Sequence, residues 1–216
     1  MTSEKKIITI LIADDHPSTR DGIRSILEKA PDMRIAGEAE DGDQIKSMVK
    51  ELQPNILLLD LKMPNLAPAE LEKWVRENHP DTITLILTAH DRDAYLANMM
   101  EAGAAGYLNK KLQAGQLISA IRRAAHGEIL FDKEQTERAY RWVGDVKKKW
   151  ESLSDHECKV LQFLTEGKDN KAIARSLGIT INTTEKYLSN IYKKLGTTSR
   201  CEAILWWLEK GTDFRN

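Results

Sequence analysis

The sequence predicts two domains of different class: an α/β domain built on a doubly wound parallel sheet, followed by a small all-α domain. The first 126 residues alternate five times between a short apolar run and a longer helical pattern, whereas only helical periodicity remains from Ser154 onward. Charge divides in the same way. Residues 1–132 hold 16 Lys and Arg against 21 Asp and Glu, while residues 133–216 hold 16 against 12. An acidic N-terminal part and a mildly basic C-terminal part indicate two units with different partners.

Five apolar runs are candidates for the strands of the α/β domain. Ile7–Ile12, Ile56–Leu59 and Ile83–Leu87 are nearly continuous, as expected for strands buried on both faces of a sheet, and Met33–Glu38 and Ala105–Leu108 are weaker. Helical patterns follow them near residues 18–30, 42–52, 68–78, 92–102 and 114–126. Five β-α units predict a parallel sheet with helices on both faces.

Composition excludes several classes of protein. Apolar residues make up 41% of the chain and charged residues 30%, which is ordinary for a globular protein, and no apolar run approaches the roughly 20 residues of a membrane span. The N-terminus lacks the apolar stretch of a signal peptide. Cys158 and Cys201 have no CxxC spacing, which favours reduced thiols. We therefore expect a cytoplasmic protein.

The C-terminal part of the chain contains residues typical of helix caps. Residues 128–150 are interpreted as a linker with some helix around 132–143. After it, Ser154 and Glu157 fit a capping box, and Ser199 and Glu202 fit a second one. With the remaining start and stop residues, these caps predict four short helices. The remaining start and stop residues are Gly167, Asp169 or Asn170, Gly178, Thr180, Gly196 and Gly211.

Polar residues collect at the predicted carboxyl ends of the strands, where open parallel sheets bind ligands. They are Asp14, Asp15, Asp60, Thr88 and Lys110. Three carboxylates in one pocket favour a hard cation such as Mg²⁺, and a carboxylate can accept a phosphoryl group whose charge an ammonium and a hydroxyl stabilise. Each residue alone has a plainer interpretation as a helix cap, a loop donor or a solvated charge, but their joint position favours a functional site.

The segments IADDHPSTRDGIRSIL, ILLLDLKMP, ILTAHD and GAAGYLNK resemble the receiver domain of two-component response regulators, over residues 5 to about 126. The resemblance implies a flavodoxin-like (βα)5 fold of strand order 2-1-3-4-5, occupying residues 5–127. It also implies phosphoryl transfer from a sensor histidine kinase to Asp60. Asp14, Asp15, Asp60 and the backbone carbonyl of Lys62 would hold Mg²⁺, and Thr88 and Tyr107 would form the switch pair beside Lys110.

One loop departs from the receiver pattern. After Met63 and Pro64 receivers commonly carry glycines, whereas this chain continues Asn65-Leu66-Ala67-Pro68. A stiffer loop is expected, which leaves the rate and lifetime of phosphorylation open.

The second domain contains a pattern typical of a helix-turn-helix. Thr184, Leu188, Ile191 and Leu195 repeat with helical spacing and are expected to face inward. The outward face is polar, as expected for a helix that binds in the major groove of DNA. A helical bundle with no DNA-binding role would also have a polar face exposed to solvent. The candidate DNA-binding residues are Asn182, Thr183, Glu185, Lys186, Ser189, Asn190, Lys193 and Lys194.

The segment LSDHECKVLQFLTEGKDNKAIARSLGITINTTEKYLSNIYKKLGTTSRCEAI resembles the LuxR-type (NarL/FixJ) DNA-binding domain, which we place at residues 151–216 after the linker at 128–150. The resemblance implies that the helix from Ile181 to Leu195 enters the major groove of double-stranded DNA. Glu185 departs from the family, which often has lysine there. A carboxylate repels phosphate but accepts from cytosine, so base preference is expected to change.

The last helix carries five successive apolar residues, Ile204 to Leu208. A helix that is apolar on more than one side needs additional partner surface, so Trp206 and Trp207 are expected at a homodimer contact. The alternative is that both tryptophans pack inside their own domain.

Together these patterns predict a transcription factor, not an enzyme, in which phosphorylation of Asp60 controls dimerisation and DNA binding. A Mg²⁺-dependent phosphohydrolase is the first rival, but it would usually need a second acid where this chain has Lys62. An adaptor that no longer contacts DNA is the second, motivated by Glu185 and the modest basic charge.

Overall fold

The structure is a computed structural model that describes residues 7–89 and 91–208. The chain divides into two compact units, Met1–Ala139 and Tyr140–Asn216. Among the described residues, no helix has both the length and the apolar character needed to cross a bilayer. Residues 5 and 6 of the predicted receiver, and Gly211 as the end of the last helix, lie outside the described residues.

The first unit contains a five-stranded sheet whose strands are all parallel, in the order β2-β1-β3-β4-β5. The predicted fold and strand order are confirmed. The strands are β1 (Ile8–Ala13), β2 (Met33–Ala39), β3 (Ile56–Leu59), β4 (Ile83–Thr88) and β5 (Gly106–Asn109). Every residue of β3 is buried, because β3 lies in the centre of the sheet with helices over both faces.

Five helices alternate with these strands. They are α1 (Pro17–Leu27), α2 (Gly42–Leu52), α3 (Pro68–Asn78), α4 (Asp93–Ala102) and α5 (Ala114–Ala125). On one side of the sheet, Ile23 and Leu27 of α1 and Leu117 and Ile121 of α5 pack into one apolar core with the strands. Because all five strands are parallel, their carboxyl ends lie at one edge of the sheet.

The helices after the sheet are α6 (Lys133–Ser152), α7 (Asp155–Thr165), α8 (Asn170–Leu177), α9 (Ile181–Leu195) and α10 (Arg200–Trp206). The capping box of Ser154 and Glu157 is complete, with a hydrogen bond in each direction. Ser199 also accepts from the Glu202 N–H, but the Glu202 carboxylate accepts from Thr198 instead of returning to Ser199. The second predicted capping box is therefore only half formed.

The linker segment is more helical than the sequence pattern predicts, because α6 runs from Lys133 to Ser152. Residues 133–139 belong to the first unit and residues 140–152 to the second. Val146 is 2% exposed and packs in the core of the second unit, with the partly buried Trp142 and Trp150 one turn to either side. This i, i+4 spacing is the apolar stripe that the sequence interpretation missed.

Candidate functional site

The predicted acidic pocket forms at the carboxyl edge of the sheet. Asp14 and Asp15 follow β1 directly, Asp60 follows β3, and Lys110 follows β5. The Asp60 N–H donates to the Ala13 carbonyl at 2.8 Å, which continues the ladder between β1 and β3 and fixes Asp60 beside the aspartate pair. Asp14 and Asp60 are 2% and 5% exposed, so their charges are largely removed from water.

Lys110 bridges the two buried carboxylates. Its Nζ lies 2.6 Å from Asp14 Oδ2 and 2.7 Å from Asp60 Oδ2. Burial on its own would lower the pKa of the Lys110 ammonium, but the hydrogen bonds to Asp14 and Asp60 outweigh that effect and the pKa is raised. The amine is therefore held as a cation next to the carboxylate that would accept a phosphoryl group.

The same pocket has the donor set of a hard-cation site. Asp14, Asp15, His16 and Asp60 each offer one ligand atom, and these atoms all lie within 4.8 Å of one another. Asp60 Oδ1 is buried without a hydrogen-bond partner. A buried carboxylate oxygen left unpaired is costly, and a divalent cation satisfies it. The carboxylates thus fit Mg²⁺, while Lys62 lies two residues beyond Asp60 with an exposed side chain.

Thr88 and Tyr107 lie on neighbouring strands beside this pocket. Thr88 is the last residue of β4 and 1% exposed, and its carbonyl accepts from the Lys110 N–H at 2.9 Å. Tyr107 in β5 is 4% exposed. The pKa of its phenol is raised, first by burial and then by the negative charge of Asp91. Both predicted switch residues are therefore buried side chains next to the strand ends that form the pocket.

Sequence reasoning missed two arginines that pair with acidic residues of the first unit. Arg20 is 6% exposed, and its guanidinium donates to the Asp14 carbonyl at 2.7 Å and to Glu38 at 3.2 Å. Arg138 of α6 reaches Asp91 Oδ1 at 2.8 Å and Asp93 Oδ1 at 2.7 Å. Position alone gives no signal for either ion pair, because the carboxylate partners are 18 to 47 residues away in the chain.

The inward face of α9 is as predicted: Thr184, Leu188, Ile191 and Leu195 are its buried residues. Six of the eight candidate DNA-binding residues are exposed; they are Asn182, Glu185, Lys186, Ser189, Asn190 and Lys193. These six form a continuous polar surface on one helix.

The other two candidates have partners inside the domain. The Thr183 hydroxyl lies 2.8 Å from that of the N-cap residue Thr180. Lys194 Nζ donates to Glu157 Oε2 at 2.7 Å, and Glu157 is 3% exposed. The pKa of Glu157 is lowered: burial acts to raise it, but the bonds from Lys194 and Ser154 outweigh burial. Lys194 therefore ties α9 to the start of α7.

Trp206 and Trp207 lie in the core of their own domain, at 6% and 3% exposure. The Trp207 ring centroid is 5.1 Å from that of Trp150. The exposed apolar side chains at this end of the chain are instead Leu205 and Leu208, at 55% and 53%. Both tryptophans therefore pack inside their own domain, which is the alternative left open by the sequence, and the prediction that they lie at a dimer contact is wrong.

Family models match both units of the chain. The response regulator receiver domain matches residues 10–122, and the LuxR family of bacterial regulatory proteins matches residues 151–207. The chain belongs to the response regulators that join a receiver to a LuxR-type helix-turn-helix domain. These proteins are DNA-binding regulators of transcription and not enzymes.

Relatives match along nearly the whole chain. The transcriptional regulatory protein YdfI of Bacillus subtilis is 35% identical, over 94% of this chain and 96% of its own. The nitrate/nitrite response regulator NarL of Escherichia coli is 31% identical, with the same coverage. The crystal structure of the response regulator ChrA, from a heme-sensing two-component system, is 31% identical with a TM-score of 0.56, over 95% of this chain and 98% of that one. The similarity therefore extends over both units of the chain.

Proposed function

We propose that Asp60 accepts a phosphoryl group from a sensor histidine kinase and that this event controls sequence-specific DNA binding in the cytoplasm. The observation that carries the proposal is the Lys110 bridge, which places a cation on a buried carboxylate with one oxygen still unpartnered. Most buried polar atoms in proteins have a hydrogen-bond partner, so an unpartnered oxygen beside a cation and two further aspartates favours a functional role. Asp60 has one oxygen available for chemistry.

The chemistry assigns a role to each side chain. An Asp60 carboxylate oxygen attacks phosphorus, the bond from phosphorus to the kinase histidine breaks, and the phosphoryl group becomes an aspartyl phosphate. The Lys110 ammonium and the Thr88 hydroxyl stabilise the transferring oxygens. Asp14, Asp15, Asp60 and the Lys62 carbonyl would hold Mg²⁺, which neutralises charge on the phosphoryl oxygens.

Coupling to α6 rests on contacts within the first unit. Gln135 donates from Nε2 to the Tyr107 carbonyl at 2.9 Å, and Arg138 pairs with Asp91 and Asp93. The start of α6 is thus tied to the strand that carries the switch tyrosine and to the start of α4. We propose that phosphorylation shifts Thr88 and Tyr107, changes this surface and alters how α6 is held.

The helix-turn-helix domain would bind DNA. The six exposed polar residues of α9 would contact bases and phosphates in the major groove, with Lys193 as the basic contact near the helix end. Leu205 and Leu208 would form part of a homodimer contact, because two exposed leucines on one helix end are better buried against a second copy. A two-fold dimer would then bind paired half-sites.

Phosphoryl acceptance tests the proposal directly. The full chain, treated with acetyl phosphate and Mg²⁺, is expected to gain one phosphoryl group at Asp60, seen as a mass increase that maps to the peptide containing β3. Asp60→Asn keeps the shape but lacks the nucleophile, so it is expected to gain none. Sedimentation of the same samples is expected to show a dimer only for the phosphorylated protein. Equal phosphorylation of both proteins, or a modified peptide elsewhere, would overturn the assignment.

A further inference from the structure

The loop that follows Asp60 is tied to the start of α2 at two points. The Gly42 N–H donates to the Pro64 carbonyl at 2.9 Å. The Asn65 side-chain amide donates to Asp43 Oδ2, also at 2.9 Å. Gly42 is the first residue of α2, where a helix leaves its N–H groups without internal partners. The loop therefore supplies an acceptor that the helix end needs.

The close approach of the two backbones requires glycine. A Cβ at position 42 would lie 2.5 Å from the Asn65 carbonyl oxygen and 2.8 Å from the Leu66 Cα. Both are backbone atoms, so neither can rotate away as a flexible side chain would. Asn65 itself has φ of 57°, a left-handed conformation that asparagine tolerates better than most residues. The two contacts and the loop shape thus depend on the residue types present.

We propose that Gly42, Asp43 and Asn65 form a loop clip that positions the Lys62 carbonyl at the cation site. The inference rests on the proposed function of the Asp60 pocket. Leu61 and Met63, on either side of Lys62, are buried at 5% and 8% exposure and anchor the loop from within. The loop clip fixes its outer end at Pro64 and Asn65. It gives this chain a fixed loop where receivers commonly have flexible glycines.

Exchange of the two clip side chains tests this inference. Asn65→Asp removes the amide donor and sets a carboxylate against Asp43, so the Mg²⁺ dissociation constant is expected to rise about tenfold, as for other groups that support metal ligands. Its extra negative charge alone would tighten cation binding, which is the opposite result. The double variant Asn65→Asp with Asp43→Asn restores a donor and an acceptor in exchanged places at the original net charge. This double variant is expected to return the Mg²⁺ dissociation constant to within about threefold of the value for the unmodified chain.

Glycine variants give a second, independent measurement. Gly42→Ala is expected to weaken Mg²⁺ binding because its Cβ forces the two backbones apart, whereas Gly22→Ala in α1 meets nothing within 4 Å and is the matched control. The probe is MgCl2 alone, titrated into the full chain and followed by amide chemical shifts. If the unmodified chain binds no Mg²⁺, the proposed function fails. If the unmodified chain binds Mg²⁺, and the dissociation constants of Asn65→Asp and Gly42→Ala both stay within twofold of its own, the loop clip fails.

Discussion

Replacing Lys110 with methionine is expected to lower the free energy of unfolding of the first unit by about 3 kcal/mol in metal-free buffer at neutral pH. Methionine keeps much of the apolar stem but removes the ammonium, so Asp14 and Asp60 face each other in a buried pocket without their shared cation. Removal of one partner from a buried ion pair costs far more than loss of an exposed one. The phosphorylation rate is expected to fall about 100-fold, because a charge-stabilising donor is lost.

The neighbouring lysine provides the control for this prediction. Lys111→Met changes the same charge at an exposed position and is expected to affect stability only slightly. Hydrogen-exchange mass spectrometry in urea measures the effect, with peptides from β1 and β3 reporting the first unit. Added MgCl2 is expected to restore more stability to the Lys110 variant than to the unmodified chain, since it replaces the missing cation. Identical unfolding of both variants without metal would show that the bridge does not stabilise the pocket.

Substitution of Glu72 with glutamine is expected to stabilise the first unit increasingly as the pH rises. Glu72 of α3 is 2% exposed, and its Oε2 has no hydrogen-bond partner among the described residues. Burial raises the pKa of Glu72 to about 7, against smaller opposing effects of Thr84 and Arg76. The folded state therefore holds a proton that the unfolded state releases near pH 4.5.

The sign and the pH window follow from that raised pKa. Below pH 4.5 both states are protonated and no stability is lost, whereas stability falls between pH 4.5 and about 7 and then levels off. Glutamine does not ionise, so the stability difference between variant and unmodified chain is expected to grow by about 2 kcal/mol from pH 5 to pH 8. Glu77→Gln, at an exposed position of the same helix, is the control. A difference that stays constant with pH would contradict the assignment.

The fold was predictable from sequence because its signals are local. Continuous apolar runs such as Ile56–Leu59 mark strands buried on both faces, and the Ser154 capping box marks a helix start. The rule that ligands bind at the carboxyl ends of parallel strands predicts Asp14, Asp60 and Lys110 at one edge of the sheet. Their contacts in the structure are the direct consequence of that topology.

The parts that sequence reasoning missed depend on tertiary contacts. The length of α6 depends on apolar residues such as Val146, which are spaced one turn apart among many charges. Trp207 packs against Trp150, which lies 57 residues earlier in the chain (207 − 150), so the pattern of the last helix alone predicted an exposed dimer surface. Pairs such as Arg138 with Asp91, or Asn65 with Asp43, leave no periodic pattern.

We propose that the phosphorylation state of Asp60 sets the affinity of α9 for DNA. The most direct measurement is fluorescence anisotropy with an operator recovered by genomic capture, at one fixed salt concentration, for the full chain with and without acetyl phosphate. Phosphorylation is expected to tighten binding at least tenfold, a ratio that Asp60→Asn abolishes and that Arg138→Gln reduces. Equal affinities for the phosphorylated and unphosphorylated chain, or the same increase in Asp60→Asn, would contradict the account.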